Sequence, residues 1–444
     1  MGARLVVVGG DAGGMSAALQ ARRLDPGLEI VALERTRWTS YSACGIPYLA
    51  GGSVPDLDSL VARTPDALRA QRIDVRTGHE VLGVDLAARR VEVHDRAHGR
   101  SFALGFDLLL LATGARPRRP VIEGIDAPHV HGVQTLDDAA HLLDTTRRHR
   151  PASAVVIGGG YIGLEMAEAF LARGIPVTVL ERSSEVMGSF DPDLGAEIAA
   201  VMRRLGIDVR TGVEVTSIGP ASVTTSDGDV PAEVVVLGTG VVPNAELAAE
   251  AGLLTGPHGA LTVDRRQRSS EDGVWAAGDC CQSVHRLTGQ PVYEPLGTVA
   301  NKMGRVAGIN LGGGYASFPG VLGTAVTRVG WLELGRTGLR RVEAQAIGFE
   351  VVEETIHSTT AASYLPEAHA TTVRMVAERR TGRVLGVQSH GGPGSAKRID
   401  VAVVAVASSL TVEDLVGMDL SYAPPFSPVW DPIQTAARAL LSKL

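Results

Sequence analysis

RLVVVGGDAGG, Arg4–Gly14, is the stretch on which the reading of this chain turns. A short β-branched run predicts a buried strand. Gly9, Gly10, Gly13 and Gly14, with Ala12 among them, form a glycine-rich turn, and the Ala-rich segment from Met15 predicts a helix. About twenty residues past the last glycine, Ile30–Leu33 predicts a second strand that ends in Glu34. Strand, glycine turn, helix, strand and acid make a βαβ unit for a dinucleotide. Glycines let the backbone approach a pyrophosphate at a helix N-terminus, and the carboxylate takes a ribose hydroxyl. One position departs from the pattern: Asp11 stands where G-x-G-x-x-G has its middle glycine. An anion beside a pyrophosphate is unfavourable unless its side chain turns away.

The same grammar returns later. Ala154–Ile157 predicts a strand, GGGYIG (Gly158–Gly163) the turn, LEMAEAFLARG a helix, and VTVL a strand ending in Glu181. Each unit also closes on a similar phrase, LLLLATGARP (Leu108–Pro117) and VVVLGTGVVP (Val234–Pro243), while VWAAGDC brings Gly278 and Asp279 to a strand end. Residues at strand ends face ligands in doubly wound sheets. The fold class expected is α/β with two Rossmann-like dinucleotide-binding domains, so two cofactors exchanging electrons. Glu181 favours the 2′-hydroxyl of NADH over the 2′-phosphate of NADPH, although Arg182 beside it is able to accept a phosphate.

Composition bounds the partners. The 444 residues are 45% hydrophobic and 20% charged with net charge −7, which argues against nucleic acid or an anionic membrane. The apolar run LVVV stops at Gly9–Gly10, too short for a signal peptide, and Leu108–Ala112 and Val401–Ala407 fall far short of a membrane span. Three cysteines make no disulfide framework, so a cytoplasmic location is expected, and no metal site is.

One cysteine has a particular setting, SYSACGIPYLAGG (Ser40–Gly52), around Cys44. A free cysteine is usually a small buried residue; the alternative is a reactive thiol. SYSACGIPY, YEPLGTVANKMGRVAGINL (Tyr293–Leu311) and YAPPFSPVWDP (Tyr422–Pro432), together with the two glycine turns, resemble the FAD-dependent pyridine nucleotide–disulfide oxidoreductases over essentially the whole chain. The resemblance is to their single-cysteine branch, which includes coenzyme A disulfide reductases, NADH oxidases and persulfide reductases. It implies a discontinuous FAD-binding domain (1–117 and 246–317), an NAD(P)H-binding domain (118–245) and a C-terminal α+β dimerisation domain (318–444) that makes a homodimer. FAD is then expected on the first turn and on Glu34, Arg35, Ser42 and Val81. Further FAD contacts are implied at Ala112, Thr113 and Gly114, at Asp279, and at Gly297, Thr298 and Ala300. NADH, with NADPH left open, is expected on Gly158, Gly160, Tyr161, Ile162 and Gly163, with Glu165, Glu181 and Gly240.

The resemblance also implies what Cys44 does. One thiol cannot form an intramolecular disulfide, so the oxidised state is a mixed disulfide or a sulfenic acid. A working thiolate there calls for a pKa lowered by positive potential, such as a helix N-terminus. Tyr422 resembles the tyrosine that reaches the partner's cysteine and protonates a departing thiolate. Tyr364 is the first of a family Tyr-Tyr-Pro, with Leu365 in second place here. Ser40, Arg22 and Arg63 with Arg69, and beside them Arg23 and Arg72, offer a basic rim for coenzyme A phosphates, although Ala70 stands where related chains often carry lysine. Ala12 occupies the position at which peroxidases place histidine. Cys280 and Cys281 read as packing residues. The function expected is electron transfer from NAD(P)H through FAD to Cys44, reducing a low-molecular-weight disulfide, foremost that of coenzyme A. The alternatives are an NADH oxidase, a persulfide, polysulfide or quinone reductase, and, more remotely, an NADH-sensing flavoprotein without activity.

Overall fold

Leu5, Val6 and Val7 are wholly buried because their strand, Arg4–Val8, lies in the middle of a parallel sheet covered on both faces. The computed structural model describes residues 2–444. The first sheet runs Val274–Ala276, Leu108–Leu111, Arg4–Val8, Glu29–Glu34 and Asp74–Thr77, all parallel. The second repeats it: Ala154–Ile157 is central, with Val177–Glu181 and Asp208–Thr211 on one side and Val234–Leu237 and Val130–His131 on the other. Each carries a three-stranded antiparallel appendage, His79–Gly105 and Val215–Pro231. The two glycine-loop units read in the sequence are therefore two copies of one layered architecture, and the expectation of two Rossmann-like units holds.

The helices begin earlier than the Ala-rich segments imply. The first spans Ala12–Leu24 and the second Tyr161–Ala172, so the last glycines of each loop lie inside the first helical turn. That turn must press against the preceding strand, which only residues without a Cβ permit. The helix Gly297–Leu311, from the stretch that carries part of the family likeness, packs along Ala12–Leu24. Contact is close because a Cβ on Gly304 or Gly308 would overlap the carbonyl oxygens of Gly13 or Ala17.

The two closing phrases meet. Ala115–Pro117 and Val241–Pro243 pair as a short antiparallel ribbon. Asn244 locks it, donating from Nδ2 to the Thr113 carbonyl at 2.9 Å while its backbone N–H donates to Gly114 at 2.9 Å. After this comes a five-stranded antiparallel sheet, ordered Ala325–Val329, Leu332–Gly338, Val384–Gly391, Ala370–Glu378 and Val351–Thr359. The helices Ile399–Ala407 and Pro432–Leu441 bury Ile399, Ala402, Ile433 and Leu440 in its core.

Candidate functional site

Two acids are held in the same way at the ends of corresponding strands. Glu34 accepts from the backbone N–H of Gly10 at 2.8 Å and from that of Thr36 at 2.8 Å. Glu181 accepts from Gly159 at 2.7 Å and from Ser183 at 2.7 Å. Each carboxylate is thereby fixed at the carboxyl edge of its sheet, with lone pairs remaining for a diol. The first glycines match as well: Gly9 has φ +115° and Gly158 φ +110°, and a Cβ on either would overlap the carbonyl opposite, Ala112 or Gly238. A Cβ on Gly14 would overlap the Gly9 oxygen, and one on Gly163 the Gly158 oxygen.

Neither helix spends its N-terminal amides on a side-chain cap. At Ala12–Leu24 this is informative, because Asp11 is the N-cap residue and an Asp there normally caps. Its carboxylate instead accepts from the Tyr41 N–H at 2.9 Å. The anion noted in the sequence is thus held on Tyr41, and no side chain caps the first turn.

These features fit FAD in the first loop and a nicotinamide dinucleotide in the second. A further fit comes from Asp279, whose carboxylate accepts no hydrogen bond from the described residues, while burial pushes it up to about 6. A carboxyl of that kind suits the hydroxyls of a ribityl chain. Gly278 beside it has φ +88° and faces Ala300, one of the positions expected to meet the cofactor. Val81 is half-buried at the root of the first appendage, Arg35 and Ser42 are exposed, and Thr298 is exposed in the first turn of the Gly297 helix.

Cys44 lies in a 3₁₀ turn, Ala43–Gly45, and is exposed, whereas Cys280 and Cys281 are buried at 0% and 4%. Cys44 is thus not enclosed in the core as a packing cysteine would be. A Cβ built on Gly297 would lie 3.9 Å from its Sγ, so the sulfur meets the N-terminus of the helix Gly297–Leu311. One expectation needs correction. The protein raises the Cys44 pKa: although the residue is accessible at the surface, desolvation by the groups packed around its sulfur is the first cause, followed by the carboxylates of Glu165 and Asp279. Its own backbone N–H opposes them, as does the positive end of the Gly297 helix, but the acids come from distant parts of the chain. It follows that Glu165→Gln lowers the pH midpoint of Cys44 alkylation, because a nearby negative charge is removed from the thiolate. A shift of about 0.5 pH unit is expected, read by iodoacetamide rates against pH.

Glu165 is itself placed by a residue the sequence did not single out. Thr327, buried on the C-terminal sheet, donates to Glu165 Oε1 at 2.8 Å. Burial raises the Glu165 pKa and this bond opposes the rise. Tyr161 accepts from the Ser189 hydroxyl at 3.1 Å, and Gly240, with φ +86°, has open space around it.

The expected basic rim divides. Ser40 and Arg63 stay with the Cys44 segment, where the Ser40 carbonyl accepts from the N–H groups of Ala62 at 2.8 Å and Arg63 at 3.3 Å. Arg22 and Arg69 are instead engaged with backbone. Arg22 donates to the carbonyls of Pro26 and Arg72, each at 2.9 Å, and Arg69 to that of Val75 at 2.8 Å. With Arg72, Glu29 and Asp74 they line a separate shallow concavity, in which Glu29 pairs with Arg4 at 2.9 Å and Asp74 with Arg76 at 2.6 Å. Tyr422 and Tyr364 are exposed at 49% and 73%, and no hydrogen bond joins either to the Cys44 segment among the described residues.

Residues 3–301 match the family described as pyridine nucleotide-disulphide oxidoreductase, and residues 324–432 match its dimerisation domain. The chain belongs to that family. It is an FAD-dependent oxidoreductase that draws on NAD(P)H, with a C-terminal dimerisation domain. Among curated relatives, a protein of Pyrococcus horikoshii named NAD(P)H coenzyme A polysulfide/persulfide reductase is 38% identical, over 98% of this chain and 98% of its own. Coenzyme A disulfide reductase of Staphylococcus haemolyticus is 29% identical, over 96% of each. The solved NAD-dependent persulfide reductase from A. fulgidus superposes with a TM-score of 0.96 at 35% identity, covering 99% of this chain and 83% of that one. Among the described residues no helix is long and apolar enough to cross a membrane.

Proposed function

We propose that this protein reduces sulfur–sulfur bonds of a small thiol carrier at Cys44, with coenzyme A persulfide ahead of coenzyme A disulfide. The observation that carries the reading is the exposed Cys44 sulfur against the N-terminus of the Gly297 helix. The order of substrates is supported by the greater likeness to the persulfide reductases and by Leu365 in place of a second tyrosine. The Cys44 thiolate attacks one sulfur of R–S–S–R, forming Cys44–S–S–R and releasing R–S⁻. When bound, FAD supplies the two-electron relay from NAD(P)H that reopens this bond. The sum is NADH + H⁺ + R–S–S–R giving NAD⁺ and two R–SH; a persulfide R–S–SH gives R–SH and H₂S.

The cofactor roles read from the sequence are kept as part of the proposal. So is the division into an FAD domain (1–117 and 246–317), an NAD(P)H domain (118–245) and a dimerisation domain (318–444). The Thr113–Asn244 ribbon, where the chain crosses between the first two, supports it. Tyr422, with exposed Phe426, Val429 and Trp430 nearby, belongs to a face for a second copy, from which its hydroxyl would protonate the leaving thiolate. A cytoplasmic site of action is supported by three unpaired cysteines.

Glu181 makes NADH the preferred donor, because its fixed carboxylate would repel a 2′-phosphate. In Glu181→Ala the ratio of kcat/KM for NADH over NADPH falls about tenfold, measured by steady-state kinetics with each donor. The reading as a whole is tested by an anaerobic NADH assay with coenzyme A persulfide, coenzyme A disulfide and benzoquinone, and a parallel assay with oxygen. The persulfide should exceed quinone and oxygen by at least about tenfold in kcat/KM. Oxygen or quinone as the best acceptor would overturn it.

A further inference from the structure

The loop that carries Cys44 is stitched to the first glycine turn by two adjacent hydrogen bonds. The Ser40 N–H donates to the Gly10 carbonyl at 2.9 Å, and the Tyr41 N–H donates to Asp11 Oδ1 at 2.9 Å. The first is main chain to main chain. The second exists only because residue 11 has a carboxyl group; a glycine, the usual residue at this place in the motif, has nothing to offer Tyr41. The backbone at Asp11 is ordinary, φ −110° and ψ −153°, so glycine is not needed for conformation. Between the two partners the chain is less relaxed: Ser40 has φ +47°, a left-handed conformation in a residue with a Cβ. A loop in that conformation stays in place only when its surroundings hold it. Here they do so on both sides, with the N–H of Ser40 on the glycine turn and its carbonyl on Ala62 and Arg63.

We propose that Asp11 is a positioning residue for Cys44, fastening the thiol-bearing loop to the turn expected to hold the pyrophosphate, so that the sulfur is presented in one place. Asp11 and Cys44 are also electrostatic neighbours. Burial pushes Asp11 up to about 7, with Glu34 and Asp279 adding to the rise and the Tyr41 and Ala12 amides opposing it. Its charge in turn is among those that raise the Cys44 thiol, behind burial, Glu165 and Asp279. The inference rests on the reading of Cys44 as the working thiol, and its test includes a measurement that needs no acceptor.

Asp11→Gly restores the glycine motif and removes the bond to Tyr41; Asp11→Asn keeps an acceptor oxygen and removes the charge. Both are compared with the parent as FAD-loaded protein, after dithiothreitol reduction and desalting. Iodoacetamide labelling of the Cys44 peptide is followed by mass spectrometry from pH 6 to 10, the usual range for a thiol titration. Asp11→Gly should reduce kcat with the sulfur acceptor about 10- to 100-fold with KM little changed, the effect of a misplaced reacting atom. Asp11→Asn should keep kcat within about threefold and move the labelling curve to lower pH, since an anion near the thiolate is gone. The inference is overturned if Asp11→Gly keeps both the parental kcat and the parental labelling curve. It is equally overturned if Asp11→Asn is as slow as Asp11→Gly. Labelling is read without an acceptor, so a shifted curve stands even if Cys44→Ser proves active; that second result would sink the functional reading alone.

Discussion

Cys44→Ser is expected to abolish reduction of sulfur–sulfur bonds while leaving the bound flavin reducible by NADH. The residues that would hold NADH stand on the second glycine loop and at Glu181, and Cys44 holds none of that loop. Bleaching of the flavin on mixing with NADH should therefore proceed within about twofold of the parental rate. Transfer to the acceptor is different, because it needs a nucleophile that forms and releases a covalent bond to sulfur. A serine hydroxyl is un-ionised near neutral pH and cannot replace a thiolate, so kcat/KM with persulfide or disulfide falls by about four powers of ten or more. The variant fold should be unaffected, since the side chain is exposed and nearly isosteric. Rapid-mixing absorbance for the first half of the reaction and thiol release for the second separate the two effects. Parental rates of disulfide reduction in Cys44→Ser would mean that the thiol is not the site.

The next largest effects belong to two matched glycine substitutions. Gly14→Ala and Gly163→Ala each place a methyl group into a preceding carbonyl, that of Gly9 or Gly158, and against a valine of the central strand. The helix must move away from its strand, which costs about 1–3 kcal/mol as over-packing and displaces the amides proposed to meet the phosphates. The copies differ in what they lose. Gly14→Ala should purify with little FAD, since the defect lies in the first loop. Gly163→Ala should purify yellow, and its flavin should fail to bleach with NADH at concentrations that saturate the parent. Flavin absorbance after gel filtration measures the first and an NADH titration the second. If the two variants were to lose the same cofactor, the assignment of one nucleotide to each loop would be wrong.

Much of this was legible in the sequence, and the reason is locality. A strand, its glycine turn, the helix and the acid at the next strand end lie within one βαβ unit. Their spacing alone predicts that Glu34 and Glu181 occupy corresponding places, as they do. Cys280 and Cys281, read as packing residues because adjacent cysteines form only strained disulfides, are buried in the turn after Val274–Ala276. What could not be read depends on segments that meet only in the fold. The direction of the Asp11 side chain is decided by Tyr41, on a separate loop. Thr327, which holds Glu165, lies on a different sheet, and nothing around it in the sequence marks it. No acid stands beside Cys44 in the chain, so the expectation of a lowered pKa missed Glu165 and Asp279, which reach it from the second helix and from a strand end. Basic residues are easily counted, but which carbonyl each guanidinium meets is not; Arg22 and Arg69 both donate to backbone carbonyls.

The most direct measurement is the mass of the Cys44 peptide during turnover. FAD-loaded protein, reduced with one equivalent of NADH, is mixed with coenzyme A disulfide, quenched with acid and digested. A coenzyme A adduct on the peptide containing Cys44, formed and lost at the rate of turnover, with Cys280 and Cys281 unmodified, is the predicted result. Turnover with that peptide unmodified throughout, or with the adduct on Cys280 or Cys281, would contradict the account.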